Sequence, residues 1–331
     1  MPATHLFLQL GLTVIGGFLA RKVLENSSGS APLAVSARTL LNRLVLWVTM
    51  PALVFHTVHA APLGPNIIQA PAAAIAGMAG TAVVAWFLLA RMYGRTPETG
   101  GLVLAASAGS VSFFGIPLVR ALFGPEETTV AVYFAVLNVP LALISGAIIS
   151  ARIDQQRSSE ARVAAGPRHR VVLSHILQAG RQLATTPTSW ALVAGVVLQG
   201  VPLAAPVDKA LGWLSMSVAP ATMFALGLGL RFERSFTPYR MALPAVAIKL
   251  AISPLVVFAC AWAVGLSGLP LAVVSLQGAM PTQVLSVVVA ERYRLNSRLV
   301  GLTLAMDTAL SFLLLPVLIG VTGLGSVPGL A

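Results

Sequence analysis

Charge is what this chain has least of. Only 9% of its 331 residues are Asp, Glu, Lys or Arg, against about 25% in a soluble globular domain. Acidic residues are scarcest, 10 against 21 basic ones, for a formal net charge of +11. With 57% hydrophobic residues, this composition excludes an ordinary soluble domain and describes a polytopic membrane protein. One cysteine, Cys260, excludes an intrachain disulfide. No phosphate loop, supported Ser-His-Asp pattern, paired acid/base motif or metal-spaced Cys/His cluster is present. No catalytic residue, metal or cofactor is therefore assigned, and an intramembrane enzyme has no support. Gly227-Leu228-Gly229 forms no dinucleotide fingerprint and reads as small residues for close helix packing.

What is there is apolar sequence in blocks. A helix needs about 20 apolar residues to cross a bilayer. Ten segments fit: 4–22, 37–58, 69–92, 99–123, 128–150, 186–201, 207–230, 240–264, 269–290 and 298–321. The sixth is short. No Lys or Arg precedes the first run, which reads as a span and not a cleaved signal peptide. Eighteen of the 21 basic residues fall in the connections after odd-numbered segments or at the segment ends that flank them; only Arg120 and Lys209 fall towards the other side, and Lys249 is deep inside a segment. By the positive-inside rule, both termini lie outside and the 152–185 connection is cytoplasmic. The positive charge is thus a topology signal, not a sign of nucleic-acid binding. The expected location is a bacterial inner membrane. In 152–185, Val171, Val172, Ile176, Leu177 and Leu183 alternate with arginines. The segment either meets anionic lipid headgroups or, as preferred here, links two halves and fixes topology.

Two apolar segments are interrupted. The fourth contains Gly109-Ser110-Val111-Ser112-Phe113-Phe114-Gly115-Ile116-Pro117, and the ninth Gln277-Gly278-Ala279-Met280-Pro281-Thr282-Gln283. Pro117 and Pro281 are read as the helix-breaking residues, with glycine freedom beside them. Backbone freed in this way is tolerated at membrane depth only inside protein or against a water-filled cavity. Paired interruptions in corresponding places of two halves point to a transporter's site. The halves also share Pro51-Ala52 to Phe55 and Pro220-Ala221 to Phe224, offset by 169, with the prolines 117 and 281 offset by 164. Five spans are an odd number, so the second copy enters inverted. The expected architecture is all-α, two inverted five-helix repeats over 1–151 and 186–331, joined by the basic 152–185 linker.

The breaks offer Ser110, Ser112, Gln277, Thr282 and Gln283, with bare backbone near Gly115 and Gly278. Half-helix starts present free N–H groups and a positive dipole end, a seat for a carboxylate. A lone proline would read as a packing kink with hydroxyls bonded to their own backbone; two matched breaks read as a substrate site. Asn138, before Pro140, is placed at cavity depth. Asp307, about ten residues into the tenth segment, is a functional candidate by default. It either carries a coupling proton or helps hold a sodium ion, with Ser311 one turn on, or it is a structural partner of Lys249. Asn42 reads as a helix–helix contact. His56 and His59 have no acid or cysteine nearby in sequence and are not read as metal ligands. Glu291, beside Arg292, reads as interfacial.

Three passages resemble one family: Leu41-Asn42-Arg43-Leu44-Val45 through Met50 to Phe55; Ser112-Phe113-Phe114-Gly115-Ile116-Pro117-Leu118; and Pro220-Ala221 through Phe224 to Leu230, with Ala279-Met280-Pro281 and Ala290-Glu291-Arg292-Tyr293. In order and spacing they resemble the auxin efflux carriers, in their bacterial, malonate-carrier-like branch. The resemblance implies ten helices, broken fourth and ninth helices crossing at the site, a scaffold half, a transport half and elevator-type alternating access. The same architecture occurs in bile-acid sodium symporters. It also implies a small organic anion as substrate. Ser110 departs from the Asn that many members place at the fourth-helix break. The expected function is secondary active transport of a small mono- or dicarboxylate, coupled to protons or sodium. A channel-like or passive uniporter and a non-transporting receptor are the alternatives. A homodimer suits an elevator, though the sequence shows no interface.

Overall fold

The computed structural model describes residues 3–28, 31–60, 64, 66–160, 185–229 and 236–321. Among the described residues the chain is helical, with no strand beyond one isolated bridge. The first half holds α1 (Ala3–Ser28), α2 (Ala31–Leu44), α3 (Met50–Ala60), α4 (Asn66–Tyr93), α5 (Pro97–Ser107), α6 (Ile116–Phe123), α7 (Pro125–Ala135) and α8 (Asn138–Glu160). The second holds α9 (Pro187–Val197), α10 (Ala205–Gly229), α11 (Thr237–Ala247), α12 (Ser253–Ala263), α13 (Gly268–Gly278), α14 (Leu285–Arg292) and α15 (Ser297–Val321). Among the described residues six stretches are long and apolar enough to cross a membrane: Val35–Ala60, Asn66–Tyr93, Glu126–Ile153, Ala205–Gly229, Thr237–Ala263 and Ser297–Leu314. Val111–Phe123, Pro187–Val197 and Gly268–Gly278 are shorter apolar helices.

Prolines decide where these helices change pitch. π-helical turns cover Val45–Thr49, Val111–Gly115 and Ile248–Ile252. Each ends two residues before a proline: Pro51, Pro117 and Pro254. A proline offers no N–H and crowds the carbonyl four residues back. Widening the turn by one residue relieves this: Met50, Ile116 and Ser253 donate instead to the carbonyls of Val45, Val111 and Ile248, five residues back. Pro117 therefore shapes a helix and does not interrupt it. The interruption falls at 108–110, whereas Pro281 lies inside the second one, so the two prolines hold different places in their halves.

Two expected boundaries move. The segment expected at 128–150 is divided by a turn at 136–137, because Pro140 cannot donate to the carbonyl at 136. α8 then runs on to Glu160, into the expected linker; residues 161–184 of that linker lie outside the described residues.

The helices pack mainly in two groups. In one, α1 lies along α10, and α3 contacts both α9 and α10. In the other, α4 packs on α5, α7 and α12; α12 on α13; α15 on α5, α11 and α14; and α6 and α13 on α7. The α1–α10 contact is backbone to backbone. A Cβ on Gly17 would collide with the Phe224 carbonyl oxygen, and one on Gly227 with that of Val14. Gly227→Val is expected to destabilise the protein by about 1–3 kcal/mol through overpacking. A thermal melt of the detergent-purified variant checks this; an unchanged midpoint would remove the contact from the account.

Candidate functional site

The interrupted helices meet at their gaps. Between α5 and the turn before α6, and between α13 and α14, the chain runs extended for a few residues, and Gly109 and Thr282 form an antiparallel bridge. Ser110 donates its N–H to the Pro281 carbonyl at 2.6 Å, and Gln283 donates to that of Ala108 at 3.0 Å. Four backbone groups freed by the breaks thus satisfy one another, as a dry interior requires.

Side chains complete the crossing. Asn138, at the start of α8, donates to the Gly109 carbonyl and to Gln283 Oε1, both at 2.8 Å. The crossing thereby receives a carboxamide that position 110 does not supply. Thr282, fully buried, lies with its hydroxyl 2.9 Å from the Ala105 carbonyl and 2.5 Å from Asp307 Oδ2. Its N–H donates to the same carboxyl oxygen at 2.9 Å. Asp307, in mid-α15, therefore holds the second break from behind. Lys249 is 2% exposed. Its ammonium donates to Ser253 Oγ at 3.5 Å, whose hydroxyl donates to the Gly278 carbonyl. A Cβ on Gly109 would lie 2.9 Å from Lys249 Nζ, so only glycine lets the ammonium come this close to the crossing. Among the described residues Lys249 and Asp307 form no direct ion pair, though each acts on the other electrostatically.

Two cavities flank the crossing. The larger, about 260 Å³, is lined on one side by Ser110, Ser112, Asn138, Pro281, Thr282, Gln283 and Thr308. Its other wall comes from α2, α3, α9 and α10, including Arg38, Asn42, Thr188, Ser189 and Thr222. Among the described residues no acidic side chain lines it, and Arg38 is its one charged wall residue. The smaller, about 20 Å³, is lined by Lys249, Ser253, Gln277, Gly278, Ser107 and Asn138 among others, and has the size of one water molecule.

The expected residues divide accordingly. Ser110, Ser112, Asn138, Thr282 and Gln283 come together on the larger cavity. Gln277 and Gly278 face the smaller one; the Gln277 amide, 1% exposed, lies against Gly115 and has no hydrogen-bond partner among the described residues. Gly115, Pro117, Asp307 and Ser311 line neither of these two cavities. Sequence reasoning missed Arg38, Thr222, Thr308 and the hydroxyls of α9. Arg38, Asn42, Leu46, Met50 and Val54 recur every four residues, the one-face spacing that could have revealed them. His56, read as lacking an acid, meets Asp208 at 3.2 Å because the fold brings α10 beside α3. His59 lies 2.9 Å from the Val201 carbonyl.

The family model described as "Membrane transport protein" matches residues 8–319. Among curated relatives, an uncharacterized transporter of Methanothermobacter thermautotrophicus is 28% identical, over 83% of this chain and 86% of its own length. One of Methanocaldococcus jannaschii is 22% identical over 83% and 87%. Auxin efflux carrier component 8 of Arabidopsis thaliana is 24% identical over 66% and 72%.

Asn138→Leu keeps the volume and removes both donated bonds, leaving the Gly109 carbonyl and Gln283 Oε1 without this donor. It should destabilise the crossing by about 1–3 kcal/mol per orphaned acceptor, read as a lower melting midpoint in detergent. An unchanged melt would mean that the bridge holds without it.

Proposed function

The chain belongs to the auxin efflux carrier family of membrane transport proteins, and from that premise we propose that it is a secondary active carrier of a small carboxylate-bearing molecule. The observation that carries the reading is the larger cavity. It opens onto the bridged breaks and is lined by hydroxyls, amides and one arginine, with no acidic wall residue among the described residues. Lys249 adds a positive charge behind the Gly109 backbone. Those groups favour an anion, and about 260 Å³ suits a small one.

The packing supports ten spans in two inverted repeats of five. Exchanging the first five predicted spans for the last five turns each principal contact into another that is present. α1 on α10 becomes α9 on α3; α4 on α5 becomes α12 on α13; α13 on α7 becomes α5 on α15; α6 on α7 becomes α14 on α15. It also supports an elevator. The cavity lies between the α1–α3, α9, α10 group, the scaffold, and the group that carries the crossing, which moves against it. The proposed setting is a bacterial inner membrane, termini outside, the 152–185 linker in the cytoplasm, with a homodimer as the working assembly. Transport is coupled to an ion, proton or sodium, through Asp307.

Ser110→Ala and Gln283→Ala each remove a group from the cavity wall. Each should raise the KM for uptake of labelled mono- or dicarboxylate into proteoliposomes about tenfold or more, the scale of one hydrogen bond to a charged group. Elution as a single monodisperse species would show that the variants fold. Normal uptake by both would sink this site.

A further inference from the structure

The coupling ion follows from counting hydrogens at Thr282. A threonine hydroxyl has one hydrogen and a backbone carbonyl has none to give. Thr282 Oγ1 nevertheless lies within hydrogen-bond distance of two acceptors, the Ala105 carbonyl at 2.9 Å and Asp307 Oδ2 at 2.5 Å. With an ionised carboxylate, one of these contacts has no hydrogen in it. With a hydrogen on Oδ2 both are made: Asp307 donates to Thr282, Thr282 donates to Ala105, and Oδ2 still accepts from the Thr282 N–H. Asp307 is 0% exposed, and its Oδ1 has no hydrogen-bond partner among the described residues. An orphaned oxygen is far less costly to bury on a neutral acid than on an anion.

We propose that Asp307 is the proton-carrying residue of this transporter, and that Thr282 links its protonation to the grip between the two broken helices. The inference rests on the carrier reading above and names its coupling ion. Thr282 is both the bridge residue opposite Gly109 and a wall of the larger cavity. When Asp307 releases its proton to water on the delivering side, the Thr282 hydrogen turns to the carboxylate and the bond to Ala105 in α5 is lost. Rebinding a proton restores it. One exchangeable proton thus alters how the second break is tied to the first half, beside the bound substrate.

The other charges leave this role to Asp307. Among the described residues Lys249 is the charged group that acts on it electrostatically, without a direct ion pair. On the elements packed against α15, Glu98, Tyr239 and Arg240 sit in first turns, and Glu291 and Arg292 close α14; Arg298 sits in the first turn of α15 itself. On α1, Arg21 is half-buried, and Lys22 is exposed and lies over the Phe18 ring.

The test has two independent arms. Infrared spectra of the purified protein at near-neutral pH should show the carbonyl stretch of a protonated, water-shielded carboxylic acid. The band should be missing in Asp307→Asn and moved towards that of a free acid in Thr282→Val, which keeps the backbone N–H and covers the case where Asp307→Asn does not fold. Absence of the band in the unmodified protein overturns the proposal whatever is transported. In proteoliposomes, a pH gradient should drive carboxylate accumulation with co-movement of protons, and a sodium gradient should not. Asp307→Asn should lose at least about tenfold in accumulation, while counterflow, which needs no net proton movement, falls far less. Sodium-driven accumulation, or pH-driven accumulation intact in Asp307→Asn, overturns the proposal and leaves the carrier reading standing. No counterflow of any acid by the unmodified protein overturns the carrier reading, and with it the transport role of a proton that the infrared arm can still detect.

Discussion

The structure depends on one constraint: a helix interrupted in a membrane interior exposes backbone groups that nothing apolar can satisfy. Here two interruptions solve the problem for each other. The 110-to-281 and 283-to-108 hydrogen bonds are the smallest piece of sheet that can exist, and they fix which residues must surround it. Glycine at 109 leaves room for the Lys249 ammonium beside the bridge. Asn138 follows, because the Gly109 carbonyl still needs a donor. Asp307 follows, because the Thr282 N–H faces away from the bridge. The polar residues at the crossing are therefore structural first. Those that remain turned towards the larger cavity can also meet a ligand.

Most of this plan was legible in the sequence. The apolar blocks, the two interruptions and the oddly placed Asp307, Lys249 and Asn138 stand out because polar atoms at membrane depth are expensive and so are few. Pitch changes were less legible. Pro51, Pro117 and Pro254 follow π turns while Pro71, Pro220 and Pro244 sit inside regular helices; proline states that a donor is missing but not how the helix absorbs the loss. That is why Pro117 read as a break. The pairing of positions was illegible. Nothing in the spacing of Asp208 and His56, or of Arg38 and Thr188, shows that they share a surface, since each contact is made by packing between distant helices.

The placement of charge gives the cavity its character. Its wall holds one arginine and several neutral donors, and the nearest buried ammonium lies behind backbone rather than in the open. A lysine projecting into the cavity would hold a carboxylate through a desolvated ion pair, and breaking such a pair typically costs several kcal/mol. A carrier must release what it binds, so binding has to be favourable enough to capture and weak enough to let go. Dipoles, hydroxyls and a charge set one backbone thickness back meet both requirements. The same arrangement explains why Lys249 is tied to Ser253 and Gly278 rather than to Asp307. Held against the first break by the residues that anchor the second, the ammonium keeps its place whether or not the carboxyl of Asp307 is charged, so the positive field at the crossing persists while the grip on Thr282 changes.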